Sequence, residues 1–371
     1  MKGLICAGAG ALVAAAVTLA CSEAFSPTTG VAPVTSTVDR SSTGDAVGED
    51  VQNVILVTLD GVRWQEVFGG VDPRLAEDAR LPRSAIEEVR DLLPGMHRLF
   101  FEGGTVLGDP RLPGGIAASG PHFVSLPGYL EILTGEVSGC RNNDCKPSLA
   151  RTLADDVGKL PAVRREQVAV FASWEMLSGV AAAPREAPGA LRAGALVDAG
   201  RSKHDPAPAF PGIEGYRPDR GTAALAIAHL LQHRPRFLWV ALGDTDEWAH
   251  RSDYRGYLEA LRFADRFVEE LCMHLGEMGA YGERTALLVT TDHGRDESFH
   301  AHGGPGSGRV WLMARGGGIP RRGVIGTRRQ RHLRDLAPTV QSLLRLPVRG
   351  CSGCGQVIEE LVGAPRVARA E

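Results

Sequence analysis

The sequence has no long run of charge of one sign and no internal repeat. The first absence removes the electrostatic footprint of a nucleic-acid-binding protein, and a formal net charge of −3 agrees, so no nucleic-acid partner is expected. The second removes solenoids and propellers. Cysteine is sparse and unevenly placed. Of seven, Cys6 and Cys21 lie near the N-terminus, Cys140 and Cys145 flank RNND, Cys351 and Cys354 flank SG, and Cys272 falls in a helical pattern. Each close pair can shut a small loop, or the pairs can cross-link. A zinc site built from the four is the rival, and an oxidising compartment disfavours it. Cys272 reads as a core residue.

What is present is a globular composition: 371 residues, 43% apolar and 23% charged, enough to bury a sizeable core. MKGLICAGAGALVAAAVTLAC carries Lys2, then small apolar residues, then Cys21, the pattern of an export signal. TLAC (18–21) resembles a lipobox, whose cysteine is acylated after cleavage; simple cleavage near Ala20 is the alternative. The expected division is a signal peptide over 1–20, a Ser/Thr/Pro/Gly-rich tether over 21–50, and one folded domain over 51–371. The expected location is outside the cytoplasm, either anchored to a membrane through Cys21 or periplasmic or secreted.

Four apolar runs, VILVTLD (54–60), VAVFAS (168–173), FLWVAL (237–242) and ALLVTT (286–291), read as buried parallel strands. TAALAIAHLLQH (222–233) and YLEALRFADRFVEELCMHL (257–275) carry apolar residues at helical spacing. Strands alternating with helices predict an α/β sheet covered on both faces. Residues 69–120 and 183–220, rich in Pro, Gly and Arg, break the alternation and read as two irregular surface insertions, either lids over a site or long loops.

Ligands in open α/β sheets gather at the carboxyl ends of strands. Three of the runs end in acids: Asp60, the Asp244/Asp246 pair, and Asp292. In GDTDEWAHRSD (243–253), Asp246 and His250 lie four apart, on one face if the stretch is helical. Asp292 and His293 precede Gly294, which allows the chain to turn, and His302 precedes a Gly-Gly pair. Asp and His in these numbers suit zinc and, with more oxygen, manganese or magnesium. Ser125, before Leu-Pro-Gly and an apolar helical stretch, sits where a helix N-terminus favours an anion. Read alone, it is more simply a plain N-cap.

In chain order, Asp60, Ser125, Asp246-x-x-x-His250, Asp292-His293-Gly294 and His302-Gly303 resemble the alkaline phosphatase superfamily, nearest its nucleotide pyrophosphatase/phosphodiesterase branch. TLDG, SLPGYLEILTG, DEWAH and TTDHG carry the resemblance, over about residues 52–345. It implies a three-layer α/β/α sandwich with a largely parallel central sheet. It also implies two divalent metal ions, zinc first, with manganese or iron compatible. One would be held by Asp246, His250 and His302, the other by Asp60, Asp292 and His293, with Ser125 as nucleophile. Backbone N–H groups near Leu126–Gly128 would steady phosphate oxygens. The implied activity is hydrolysis of a small-molecule phosphate ester, diester or monoester, through a phosphoserine.

The sequence departs from that branch at Gly128, where an Asn that helps bind a phosphate oxygen is usual; Arg63 and Asn143 are the candidates to replace it. Sulfatases place Arg shortly after their nucleophile, and Tyr129 stands there instead. Sulfate or phosphonate ester hydrolysis on the same site is the enzymatic alternative, and a non-catalytic envelope lipoprotein retaining the fold is the other. His300 reads as a bystander beside His302. Asp244 reads as a supporting partner or as a ligand in place of Asp246, and His122 as a possible substrate contact. Trp174, Glu247 and Trp248 are candidates for a pocket wall, and Asp296 and Glu297 for a polar loop without a role.

Overall fold

A computed structural model describes residues 51–145, 151–181, 195–201, 210, 213 and 215–362. The signal segment, Cys21 and the tether lie outside the described residues, as does much of 183–220. The strands are Asn53–Leu59 (β1), Thr105–Leu107 (β2), Ile116–Ala117 (β3), Val168–Ala172 (β4), Leu196–Ala199 (β5), Phe237–Leu242 (β6), Thr285–Thr290 (β7), Arg309–Val310 (β8), Leu312–Gly316 (β9), Gly323–Val324 (β10) and Arg331–His332 (β11). Eight form one sheet in the order β10-β2-β9-β7-β1-β6-β4-β5, and β11-β3-β8 form a small second one. In the large sheet β9 alone runs against the rest.

The four apolar runs form the centre of this sheet because they offer no polar face. All seven residues of β1 are buried. The pleat sends Ile55, Val57 and Leu59 into one core and Val54 and Leu56 into another. Each such side chain contributes about 1.5–3 kcal/mol when withdrawn from water, so a strand buried on both sides outweighs any alternative that exposes it. The helices used below are Ser125–Thr134 (α1), Asp219–His233 (α2), Asp244–His250 (α3), Tyr254–Glu277 (α4) and Leu336–Leu343 (α5). Helices α2 and α4 pack on the Ile55 face, α1 and α5 on the Val54 face. The result is the three-layer α/β/α sandwich with a mostly parallel centre. No helix among the described residues is long and apolar enough to cross a membrane.

One expectation changes. Residues 69–120 are not a surface insertion. They bury Met96, Phe100, Val106 and Leu107, and β2 pairs with β9 and β10 to extend the sheet. Short helical turns between the glycines and prolines hide the periodicity in sequence. Within the second irregular region, 196–199 supplies the edge strand β5. Each cysteine pair closes its own loop, Cys140–Cys145 and Cys351–Cys354. Cys272 is free and only partly buried, with its thiol pushed up to about 11 by burial.

Candidate metal centre

The ligand-bearing segments leave the sheet side by side. Register pairs Thr58 with Thr290 and Leu59 with Leu242, so Asp60 exits level with Asp292 on one side and with the start of α3 on the other. The turn after β1 is closed by Gly61 N–H donating to Asp292 Oδ1 (3.1 Å) and by Thr245 hydroxyl donating to the Asp60 carbonyl (2.6 Å). Three separate parts of the chain are thereby tied together at one point.

Two donor sets result. Asp60, Asp292 and His293 present ligand atoms within 4.8 Å of one another, all buried. His293 Nε2 lies 3.4 Å from Asp60 Oδ1, 3.5 Å from Asp292 Oδ2 and 3.3 Å from Ser125 Oγ. Ser125, the first residue of α1, also lies 3.4 Å from Asp60 Oδ1. In the second set, His250 Nε2 is 3.0 Å from Asp246 Oδ2 and 3.0 Å from His302 Nε2. Asp246 and His302 also fall within ligand distance of His293. All seven residues singled out from the sequence are thus brought together.

The chemistry of these donors fits cations. Asp292 Oδ2 is buried with no hydrogen-bond partner, an expensive arrangement for a carboxylate unless a cation answers it. Burial drives the Asp292 pKa far up, reinforced by the charge of Asp60. Burial opposes charge on His293, yet the neighbouring carboxyl groups of Asp292, Asp60 and Asp246 push it up to about 10. His302 is held down to about 3 by burial and by His293, so its ring stays neutral. Both key tautomers are fixed by main-chain carbonyls: His293 Nδ1 bonds Gly294 O (2.7 Å) and His250 Nδ1 bonds His300 O (3.1 Å). Each leaves its Nε2 facing the site, the usual device for orienting a metal-binding imidazole.

The bystanders sort themselves. The His300 carbonyl is what reaches the site, accepting from His250 Nδ1 and Arg295. Asp244 is engaged elsewhere: its Oδ1 accepts from the Tyr216 hydroxyl (2.9 Å) and the Asp219 N–H (3.2 Å). Asp219 in turn takes the Gly243 and Asp244 N–H groups and fixes the entry to α3. His122 lines a separate small pocket beside Phe123, Gly128 and Glu131. Arg63 is buried against Glu66 and Asp72 and is not directed to the site. Trp248 packs against Phe210. Asp296 does have a structural role, accepting from Gly304 N–H (3.0 Å) and the Ser307 hydroxyl (3.0 Å) to close the loop.

The main-chain donors expected near Leu126–Gly128 are already used. Leu126 N–H donates to Asn143 Oδ1 (3.0 Å), Pro127 has none, and Gly128 N–H donates to Val124 O (3.1 Å). Gly128 has its own reason to be glycine. A Cβ there would stand 2.3 Å from the Asp292 carbonyl oxygen, so α1 packs directly against the ligand strand's end. Asn143 instead lines a cleft of about 140 Å³ with Ser125, Asp60, Trp174, Glu247 and His250.

Two functional neighbours were missed in sequence. Tyr129 donates its hydroxyl to Asp60 Oδ2 (3.0 Å); its place four residues after Ser125, on the same helix face, was the available signal. Arg295, directly after Asp-His-Gly, is buried and paired with Asp246 Oδ1, and its guanidinium also reaches the carbonyls of Asp246 (3.0 Å) and His300 (3.2 Å). Burial alone would raise the Asp246 pKa; Arg295 is the largest of the charges that instead hold it well below the carboxylate range. A buried cation beside a ligand set has no periodic signature.

Residues 216–347 match the family model described as the Metalloenzyme superfamily. The matched span holds Asp246, His250, Asp292, His293 and His302, but not Asp60 or Ser125. Phosphopentomutase of Alkaliphilus metalliredigens (strain QYMF) is 30% identical over 127 residues, 33% of this chain and 30% of that relative, so under a third of its length is matched. The fold is similar to a protein in the alkaline phosphatase superfamily from Vibrio parahaemolyticus (TM-score 0.52, 14% identity, 81% of this chain and 67% of that one). It is also similar to the phosphonate monoester hydrolase SpPMH from Silicibacter pomeroyi (TM-score 0.52, 15% identity, 86% and 78%). Sulfatases are among the further structural neighbours.

Proposed function

We propose that this chain is a metal-dependent enzyme of the metalloenzyme/alkaline phosphatase superfamily, an exported hydrolase of small phosphate esters that works through a phosphoserine at Ser125. The observation that carries the reading is the position of Ser125 Oγ, 3.4 Å from Asp60 and 3.3 Å from His293, on the wall of the open cleft. Asp60, Asp292 and His293 would hold one divalent cation, and Asp246, His250 and His302 the other. When bound, such cations supply Lewis-acid charge and lower the pKa of a hydroxyl. The donor set suits zinc, with manganese or iron compatible.

Ser125 Oγ attacks phosphorus, the new O–P bond forms as the ester O–P bond breaks, and the alcohol leaves. Water then displaces the phosphoryl group from Ser125, releasing phosphate from a monoester substrate or a phosphomonoester from a diester. Tyr129 keeps Asp60 oriented. Asn143 would offer its Nδ2 to a phosphate oxygen, since Leu126 N–H holds its Oδ1 and the residue lines the cleft. Asn143 thus takes the place that Gly128 leaves empty of any side chain.

Export and an acyl anchor at Cys21 are proposed on the sequence of residues 1–21, and the two disulfides support an oxidising compartment. The shared fold of a phosphonate hydrolase and of sulfatases makes phosphonate or sulfate esters the second reading. Turnover of p-nitrophenyl phosphate, bis-p-nitrophenyl phosphate, p-nitrophenyl phenylphosphonate and p-nitrophenyl sulfate, measured with metal content, separates the cases. Fastest cleavage of either phosphate supports the proposal. Fastest cleavage of the sulfate or phosphonate overturns it in favour of the second reading. A protein with no metal and no turnover is a retained fold without chemistry.

A further inference from the structure

The loop from Asp292 to Gly304 serves both donor sets, since His293 belongs to one and His302 to the other. Such a loop needs an anchor between its two ligands. Asp296 pins its far end. The other hold is Phe299, which is 4% exposed although it lies in a surface loop. Its φ is +58°, a left-handed conformation unfavourable for a bulky residue, so its surroundings must impose it.

Those surroundings form an aromatic and ionic box. The Phe299 ring meets Tyr254 edge-on at 5.3 Å and Tyr257 at 5.2 Å, and the Arg63 guanidinium stands 5.5 Å from its centroid. Arg63 is bonded to the fully buried Glu66, which accepts the hydroxyls of Tyr254 (2.9 Å) and Tyr257 (3.3 Å). The box joins three segments that carry ligands. Arg63 follows Asp60 by three residues, Tyr254 and Tyr257 open the helix after His250, and Phe299 sits between His293 and His302. The residue immediately after Phe299 supplies the carbonyl that fixes the His250 tautomer and also receives Arg295.

We propose that Phe299 is a positioning residue for the Asp246–His250–His302 centre. Its ring, held by Tyr254, Tyr257 and Arg63, sets the His300 carbonyl that orients His250 and places His302 two residues further on. The Asp60–Asp292–His293 centre has ties that bypass Phe299: the strand ends, the Gly61 N–H to Asp292 bond and the Thr245 to Asp60 carbonyl bond. Loss of the ring therefore weakens one centre selectively. The inference rests on the reading of two metal centres.

The test is zinc stoichiometry and affinity of the purified protein. The wild type is expected to bind two zinc ions. Phe299→Ala is expected to hold about one, with the Kd of the weaker zinc raised on the order of 10–100-fold, the range for losing a group that orients a ligand. Phe299→Leu, which keeps bulk and fold, is expected to fall between. Phe267→Leu, at a buried position lower on α4, destabilises the same helix and should leave both zincs in place. In a His302→Ala background the Phe299 change should add no further loss. If Phe299→Ala does not fold, Phe299→Leu decides. A wild-type Kd for the second zinc in Phe299→Leu, or equal weakening of both zincs, overturns the inference while the two-centre reading stands. A wild type that binds fewer than two overturns both.

Discussion

His250 donates from Nδ1 to the main-chain carbonyl of His300, 3.1 Å away and fifty residues further along the chain. The relationship gives the crowded histidines of SFHAHGG separate duties. His302 presents a ring nitrogen to His250 and His300 a carbonyl, so of the two side chains the His302 ring is the expected ligand.

Substituting His302→Ala should therefore cost one metal per chain, while His300→Ala should leave both, because alanine retains the carbonyl. Metal content after dialysis checks this. Equal losses in the two variants would mean that the His300 ring is a ligand.

For Ser125→Ala the expected result is loss of at least 10³-fold in kcat with both metals retained. Each centre keeps three protein ligands, and the variant lacks only the nucleophile. Turnover near the wild-type rate would assign the attack to water instead.

At Gly128 even a methyl group is too much, since it would meet the Asp292 carbonyl oxygen at 2.3 Å. Gly128→Ala should lose about 1–3 kcal/mol of stability through forced backbone movement, and activity should fall further than stability because Asp292 moves. Paired urea titrations and kcat/KM values test it. An unperturbed Gly128→Ala protein would show that α1 can slide away from the ligand strand freely.

Glu131 titrates in an accessible window. Burial raises its pKa to about 7 from the ordinary 4.5, only partly offset by Ser119. The folded state thus binds this proton more tightly than the unfolded chain does. Its stabilising contribution is full below about 4.5, declines as pH rises, and is lost above about 7. Relative to Glu131→Gln, which does not titrate, the wild type should lose up to about 3 kcal/mol across that range. Urea midpoints of both proteins at pH 5 and pH 8 measure the difference. A constant gap between them would exclude the effect.

The strands were legible because burial on both faces leaves an uninterrupted apolar run, as in VILVTL and FLWVAL. The ligands were legible because they follow those runs directly and in a fixed order. Residues 69–120 were not, since prolines and glycines break their short helices before a period can build up, and their burial comes from β9, some two hundred residues away. Arg295 and Tyr129 were obscure for a related reason. Each acts on a residue brought near by the fold, and only Tyr129 left a trace, four residues from Ser125. The surface insertion expected over 69–120, lid or loop, is instead part of the sheet, with Val106 and Leu107 paired to β9.

The parallel order β7-β1-β6 has a metrical consequence. Neighbouring strands in any sheet stand about 4.8 Å apart, and bridging cations in two-centre hydrolases stand about 3.5–4 Å apart. Asp292, Asp60 and the α3 acids leave three adjacent strands at one level, so the ladder of main-chain hydrogen bonds acts as the ruler for the whole site. A slip of one residue in β1 would carry Asp60 about 3.3 Å along the strand and reverse its face. The spacing of the chemistry is therefore set by the register of the backbone as well as by the side chains at the site.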